Sequence, residues 1–99
     1  MNNNLAEFSF VMEIRDIFII KDVGIIVTGI VDSGMIKAND AVCIADYEGN
    51  VIHQNVVNRL ESMSVPNIKS ASTGNDVGLM FTDKNILDYV GRGLFVVVE

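Results

Sequence analysis

The sequence predicts one all-β domain: a small, closed antiparallel β-barrel with Greek-key-like connections. Three observations predict it. The first is the stretch from Gly24 to Gly34, GIIVTGIVDSG, in which Ile25, Ile26, Val27, Thr28, Ile30 and Val31 are nearly all β-branched. Such side chains are stiff at χ1 and pack well on a pleated surface, so the stretch is a strand. The second is Gly29, which interrupts that run in its middle. A lone mid-strand glycine marks a bend, a bulge or a close backbone approach, and a bent strand suits a small barrel better than a flat sheet. The third is the rest of the chain, where short apolar or alternating segments are separated by glycine-containing and polar turns, with no long helical pattern.

Residues 1–7 read as a short disordered lead, and residues 8–99 as the single barrel domain. From Phe8 the pattern alternates, with Phe8, Phe10, Met12 and Ile14 on one face and Ser9, Val11, Glu13 and Arg15 on the other. Ile17 to Ile20 continue this strand after Asp16. Lys21 to Gly24 form a polar turn, so the Gly24 strand returns antiparallel. Asp32-Ser33-Gly34 reads as a turn, Met35-Ile36 as a short strand, and Lys37 to Asp40 as another turn. Ala41 to Asp46 is the next strand, followed by a hairpin loop at Tyr47 to Asn50. Val51 to about Met63 is one long strand, and Ser64 to Asn75 is a loop holding the single proline, Pro66. Asp76 to Thr82 is a strand. Asp83 to Val90 is one helical turn, N-capped by Asp83, with Ile86, Leu87 and Val90 facing inward. Gly91-Arg92-Gly93 turns into a closing strand, Leu94 to Val98, apolar on both faces. Gly24, Gly34, Gly49, Gly74 and Gly93 fall at strand ends, where positive φ is wanted.

Composition narrows the function. Ninety-nine residues, 49% of them hydrophobic, suffice for one core and not two. One cysteine, Cys43, excludes an internal disulfide, and one histidine, His53, excludes a Cys/His zinc site, so neither a metal nor a cofactor is expected. A reducing compartment follows naturally. No apolar run approaches the roughly 18 residues of a spanning helix, and Met1-Asn2-Asn3-Asn4 has no signal-peptide character, so the expectation is a cytoplasmic protein with no membrane partner. Thirteen acids against seven bases give a net charge of −6. That argues against broad nucleic-acid binding, whose affinity comes from lysine and arginine neutralising phosphates, though not against a single local contact.

Four segments carry a family resemblance. GIIVTGIVDSGMIKANDAV is similar to the signature strand pair in the second domain of translational GTPases of the elongation factor Tu type. The matching residues are Val27, Thr28, Gly29, Val31, Asp32, Gly34, Ile36, Lys37 and Asp40. FVMEIRDIF (Phe10 to Phe18) resembles that domain's first strand, GNDVGLMF (Gly74 to Phe81) its Gly-acid-x-Val-Gly strand, and VGRGLFVVV (Val90 to Val98) its closing Arg-Gly turn and last strand. The four occur in the family's order and cover all but the first residues. The resemblance implies a barrel of about six to eight strands. In the family, one face of this domain contributes to the pocket for the aminoacyl end of tRNA. Carried over, the matches are Asp16, Phe18, Thr28 and Arg92, with Asp76 where the family has an asparagine. Other departures are Arg15 where the family has an acid, and Ile30 where it has an arginine. The loop before Gly74 has no clear basic counterpart among Ser64, Val65 and Pro66.

The enzymatic half of that family is missing. Neither the Gly-x-x-x-x-Gly-Lys-Ser/Thr phosphate loop nor an Asn-Lys-x-Asp guanine motif is present, so no nucleotide is expected. Asp40, Glu61, Asp76, Asp83 and Asp88 read as solvated acids and not as a catalytic pair. Ser33 and Ser62 have no histidine nearby in sequence, and His53 lies on an ordinary strand. The chain therefore reads as a non-catalytic binding module, docking on a ribosomal, tRNA or factor surface. The alternative is a protein-interaction or homo-oligomeric module that has lost any RNA role. Alternation places Val27, Gly29 and Val31 inward, and Ile26, Thr28 and Ile30 outward. It likewise places Val42 and Ile44 inward, and Ala41, Cys43 and Ala45 outward. An Ile-Thr-Ile row beside Ala-Cys-Ala would make an apolar patch, with Ile26, Thr28, Ile30 and Cys43 as interface candidates, unless the Asp83–Val90 turn or the Ser64–Asn75 loop covers it.

Overall fold

The structure is a computed structural model, and it describes residues 4–62 and 65–99. Among the described residues nine strands form a curled, antiparallel, barrel-like sheet: β1 (Phe10–Glu13), β2 (Asp16–Ile20), β3 (Gly24–Lys37), β4 (Ala41–Ala45), β5 (Val51–Val56), β6 (Arg59–Glu61), β7 (Ser70–Ser72), β8 (Asp76–Phe81) and β9 (Phe95–Val98). The order is β5-β4-β9-β1-β3-β8-β6, with β2 and β7 also paired to β3. The β-branched run from Gly24 is thus the strand that touches most others. Its first half lies between β2 and β8, and its second half pairs with β1 and β7.

Gly29 sits where β3 passes from β2 to β1. A Cβ there would run into the carbonyl oxygen of Glu13 and lie 3.0 Å from Met12 Cγ. Close backbone approach, and not a turn conformation, is what requires glycine here. The expected turn at Asp32-Ser33-Gly34 is instead a bulge within one continuous strand. Gly34 and Ser33 pair with Phe10 and Val11, the next pair is Val31 with Met12, and Asp32 is the extra residue. The Asp32 carboxylate accepts the Glu13 backbone N–H at 3.1 Å, and Gly34 has φ 84°. Met35-Ile36 is accordingly the end of β3 and no separate strand.

The expected long strand from Val51 breaks after Val56, because the chain changes partner there. Val57 N–H donates to the carbonyl of Asp40, next to β4, whereas Asn58 N–H donates to Met80 on β8. One kinked segment thereby joins the two ends of the strand order. Its expected end at Met63 lies outside the described residues. So does Ser64, the start of the expected loop, and the remainder of that loop contains β7 and a bridge from Ile68 to Leu60. The helical turn is a 3-10 turn, Lys84–Asp88, capped by Asp83, whose carboxylate accepts from Asn85 N–H at 3.0 Å. Ile86 is fully buried and Val90 packs on the core, but Leu87 is 39% exposed, since so short a turn buries only one side. The five glycines expected at positive φ all have it.

The core inside the curl is built from Phe10, Met12, Ile14, Ile25, Val27, Ile44, Leu79, Phe81 and their neighbours. A second cluster lies on the outside of the sheet: Val11, Cys43, Ala45 and Val97, with Leu5, Phe8 and Phe95 against it. It corrects three expectations. Asn4–Glu7 forms a 3-10 turn where a disordered lead was expected, and residues 1–3 of that lead lie outside the described residues. Phe8 joins the outer cluster and not the inner face of its strand. Cys43 and Ala45 do point outward but are buried under Leu5 and Phe8, because an apolar outer face draws the preceding segment over it. Among the described residues, neither the Asp83–Val90 turn nor residues 65–75 join that cluster.

Candidate functional site

The expected patch does not exist as one surface. In the strand order β9 and β1 separate β4 from β3, so Cys43 and Ile30 are not neighbours. Cys43 is withdrawn as an interface residue by burial. Burial, and secondarily the charge of Glu99, pushes its thiol above the ordinary value, which removes thiolate character.

The outward positions of β3 belong to a different face, shared with β2, β8 and β6. The register builds it in rows. Phe18, Ile26 and Met80 align with Arg59; Asp16, Thr28 and Gly78 align with Glu61; and Ile30 pairs with Asp76. Ile26 and Thr28 are half-buried, as outward residues of a central strand are, and Ile30 is 36% exposed. Phe18 is 50% exposed, because β2 pairs only with β3 and nothing stands beyond it to cover the ring. These rows enclose a groove of about 330 Å³, lined by Phe18, Ile20, Ile26, Thr28, Val77 and Gly78, with Glu61, Ser62 and Asp76 supplying the polar groups. Gly78 forms part of the lining. A Cβ there would stand 3.1 Å from Ile26 Cγ2 and 3.4 Å from Glu61 Cγ, closing the space between them.

Of the residues carried over by resemblance, Phe18, Thr28 and Asp76 line this groove. Asp16 and Arg92 are bonded to each other beside it, Arg92 Nη2 to Asp16 Oδ1 at 2.8 Å. Both are exposed, so the pair adds little stability, but it gives the arginine a carboxylate partner. Thr28 donates its hydroxyl to the Asp16 carbonyl at 3.4 Å. Glu61 lies 3.5 Å from Arg59, and Asp76 has no ion-pair partner among the described residues. Sequence reading did not single out Ile20, Glu61, Ser62, Val77 or Gly78 for this face. Alternation along Asp76–Phe81 was the available signal, since Asp76, Gly78 and Met80 fall on one side.

A second, larger groove, of about 830 Å³, crosses the outer face of β4, β5 and the end of β3, with Met35, Lys37, Ala41, Gln54 and Val56 among its lining. It mixes polar groups, Ser9, Lys37, Asp40, Gln54, Asn55 and Glu99, with apolar ones. Among the described residues no three metal-binding side chains come together. His53 stacks flat on Tyr89, ring centroids 4.2 Å apart, and its Nε2 lies 3.1 Å from Asn55 Nδ2, so the imidazole is engaged in packing. No helix among the described residues is long and apolar enough to cross a membrane. No protein-family model matches the chain, and no curated protein matches it in sequence.

Proposed function

We propose that this chain is a non-catalytic binding module, related to the second domain of translational GTPases, that works in the cytoplasm by docking on a component of the translation machinery. Its docking face is the β2–β3–β8 groove. The observation that carries this reading is the half-exposed Phe18 ring beside Ile20 and Ile26, over a lining kept open by Gly78. Apolar side chains gathered around a concavity are the usual anchor point of a protein interface. The four sequence segments support the kinship, and the lack of a phosphate loop supports a role without nucleotide.

Loss of the RNA role, with a protein as the partner, is favoured by the charges. Asp76 and Glu61 border the groove, Arg92 is held by Asp16, and Ile30 stands where the family has an arginine. A site that gains RNA affinity by neutralising phosphates would carry the opposite sign. The test is capture from native cells together with sedimentation, using wild type, Phe18→Ser and Ile30→Arg. Both variants should melt like wild type, since both positions are exposed, and both should lose the partner or self-association. Unchanged capture and sedimentation by both variants would remove the docking face. Binding of tRNA that weakens steeply with salt would restore the RNA reading.

A further inference from the structure

We infer that the β2–β3–β8 groove receives a short protein segment presenting one apolar side chain flanked by lysine or arginine. This rests on the docking reading above and adds the chemistry of the occupant. Three features of the groove point to it. Its apolar side chains, Phe18, Ile20 and Ile26, line a space of about 330 Å³ and supply an apolar surface for a side chain. Its charged lining residues are both acids, Glu61 and Asp76. The nearby cations do not reverse that sign. Arg59 stands 3.5 Å from Glu61, Arg92 is bonded to Asp16 at 2.8 Å, and Asp76 has no ion-pair partner among the described residues. The chain as a whole carries −6, so its long-range field also draws a basic partner and repels a phosphate backbone or a second copy.

The complementarity is local as well as global. Asp76 pairs in register with Ile30, and Glu61 with Gly78, so the two carboxylates stand on the adjacent strands β8 and β6, along one side of the apolar lining that Phe18, Ile20 and Ile26 supply. A bound segment with its apolar side chain against Phe18 and Ile26 would bring a neighbouring cation toward this side, where Asp76 has no ion-pair partner among the described residues and Glu61 already faces Arg59. Gly78 sets the size limit, because any side chain there would meet Ile26 and Glu61 and narrow the groove.

The experiment is a chemical-shift titration of the full chain with three acetylated, amidated pentapeptides: Gly-Lys-Leu-Lys-Gly, Gly-Glu-Leu-Glu-Gly and Gly-Lys-Ser-Lys-Gly, with a CCA trinucleotide as the RNA probe. The lysine-leucine peptide should bind at least tenfold tighter than either other peptide, with shifts centred on Phe18, Ile26, Thr28 and Gly78. Asp76→Asn should weaken it about two- to fivefold, the range of one exposed ion pair, and the effect should shrink in high salt. Phe18→Ser should weaken it more than about tenfold, as loss of an aromatic anchor does. Equal binding of the lysine and glutamate peptides, shifts located elsewhere, or tighter binding of the trinucleotide overturns the inference. Failure here is separable from failure of the docking reading. If Phe18→Ser loses the native partner while the lysine peptide shows no preference, the face stands and the basic occupant falls.

Discussion

Replacing Gly29 with valine tests the packing that holds this barrel together. Gly29 lies at the point where β3 leaves β2 and begins to pair with β1. Even an alanine Cβ would overlap the Glu13 carbonyl oxygen and sit 3.0 Å from Met12 Cγ and 3.3 Å from Met12 Cε. The methionine can turn aside, but the carbonyl belongs to the backbone that links β1 to β2. To restore an ordinary carbon–oxygen contact it must retreat by roughly 1 Å. That movement strains the Glu13 N–H bond to Asp32 and, through it, the bulge that keeps β3 continuous. Overpacking of this kind costs about 1–3 kcal/mol, and valine, with two more methyl groups on a buried position, belongs near about 3 kcal/mol. For a domain of this size each kcal/mol moves the melting temperature by about 4–8 °C, so Gly29→Val should lower it by about 10 °C or more. Circular dichroism melts and urea midpoints measure this directly. Gly91→Ala is the control, since a Cβ there would find its nearest neighbour, Leu94 Cδ1, at 3.8 Å. A Gly29→Val melt within about 2 °C of wild type, with Gly91→Ala equally neutral, would refute the close-approach explanation.

Two further outcomes follow from the outer cluster and the β4–β5 hairpin. Cys43, buried with a thiol above its ordinary value, should react slowly with a disulfide reagent near neutral pH and rapidly in denaturant; Leu5→Asp should speed the native reaction by uncovering it, and an unchanged rate would contradict the role of the 3-10 turn. Asp46 accepts N–H bonds from Asn50 and Glu48 and a third from Asn50 Nδ2, which together hold its carboxyl below the ordinary 3.8. Because the folded value is depressed, its contribution to hairpin stability is complete above the ordinary value and disappears as pH falls through the folded one. A carbon-13 titration of the Asp46 carboxyl with a midpoint at or above 3.8 would contradict this.

Much of the fold was legible because its signals are local. Hydrophobic alternation and β-branched runs located the strands, Asp83 announced its cap, and the outward positions Ile26, Thr28 and Ile30 followed from the period of two. What was not legible depends on partners distant in sequence. Asp32-Ser33-Gly34 has turn composition, yet pairing with Phe10 and Val11 converts it into a bulge. The break after Val56 is invisible in an apolar-poor strand, because it arises from a change of neighbours between β4 and β8. The patch of Ile30 and Cys43 failed for the same reason. Alternation gives the face of a strand, but only strand order gives its neighbours, and here β9 and β1 intervene. Leu5 carried a readable hint, since a large apolar residue in a supposed lead needs somewhere to go. The groove itself was half readable: Phe18, Thr28 and Asp76 were singled out, whereas Gly78 matters for a side chain it lacks.

The docking face is tested most directly by site-specific photocrosslinking in living cells. A benzophenone amino acid is placed at Phe18, which is 50% exposed in the groove, and in a second strain at Tyr47, which is 68% exposed in the hairpin loop between β4 and β5. A discrete protein adduct is expected from position 18, lost in an Asp76→Asn, Ile26→Ser background, and none of comparable yield from position 47. Equal adducts from both positions, or an adduct at position 18 that ribonuclease removes, would contradict it.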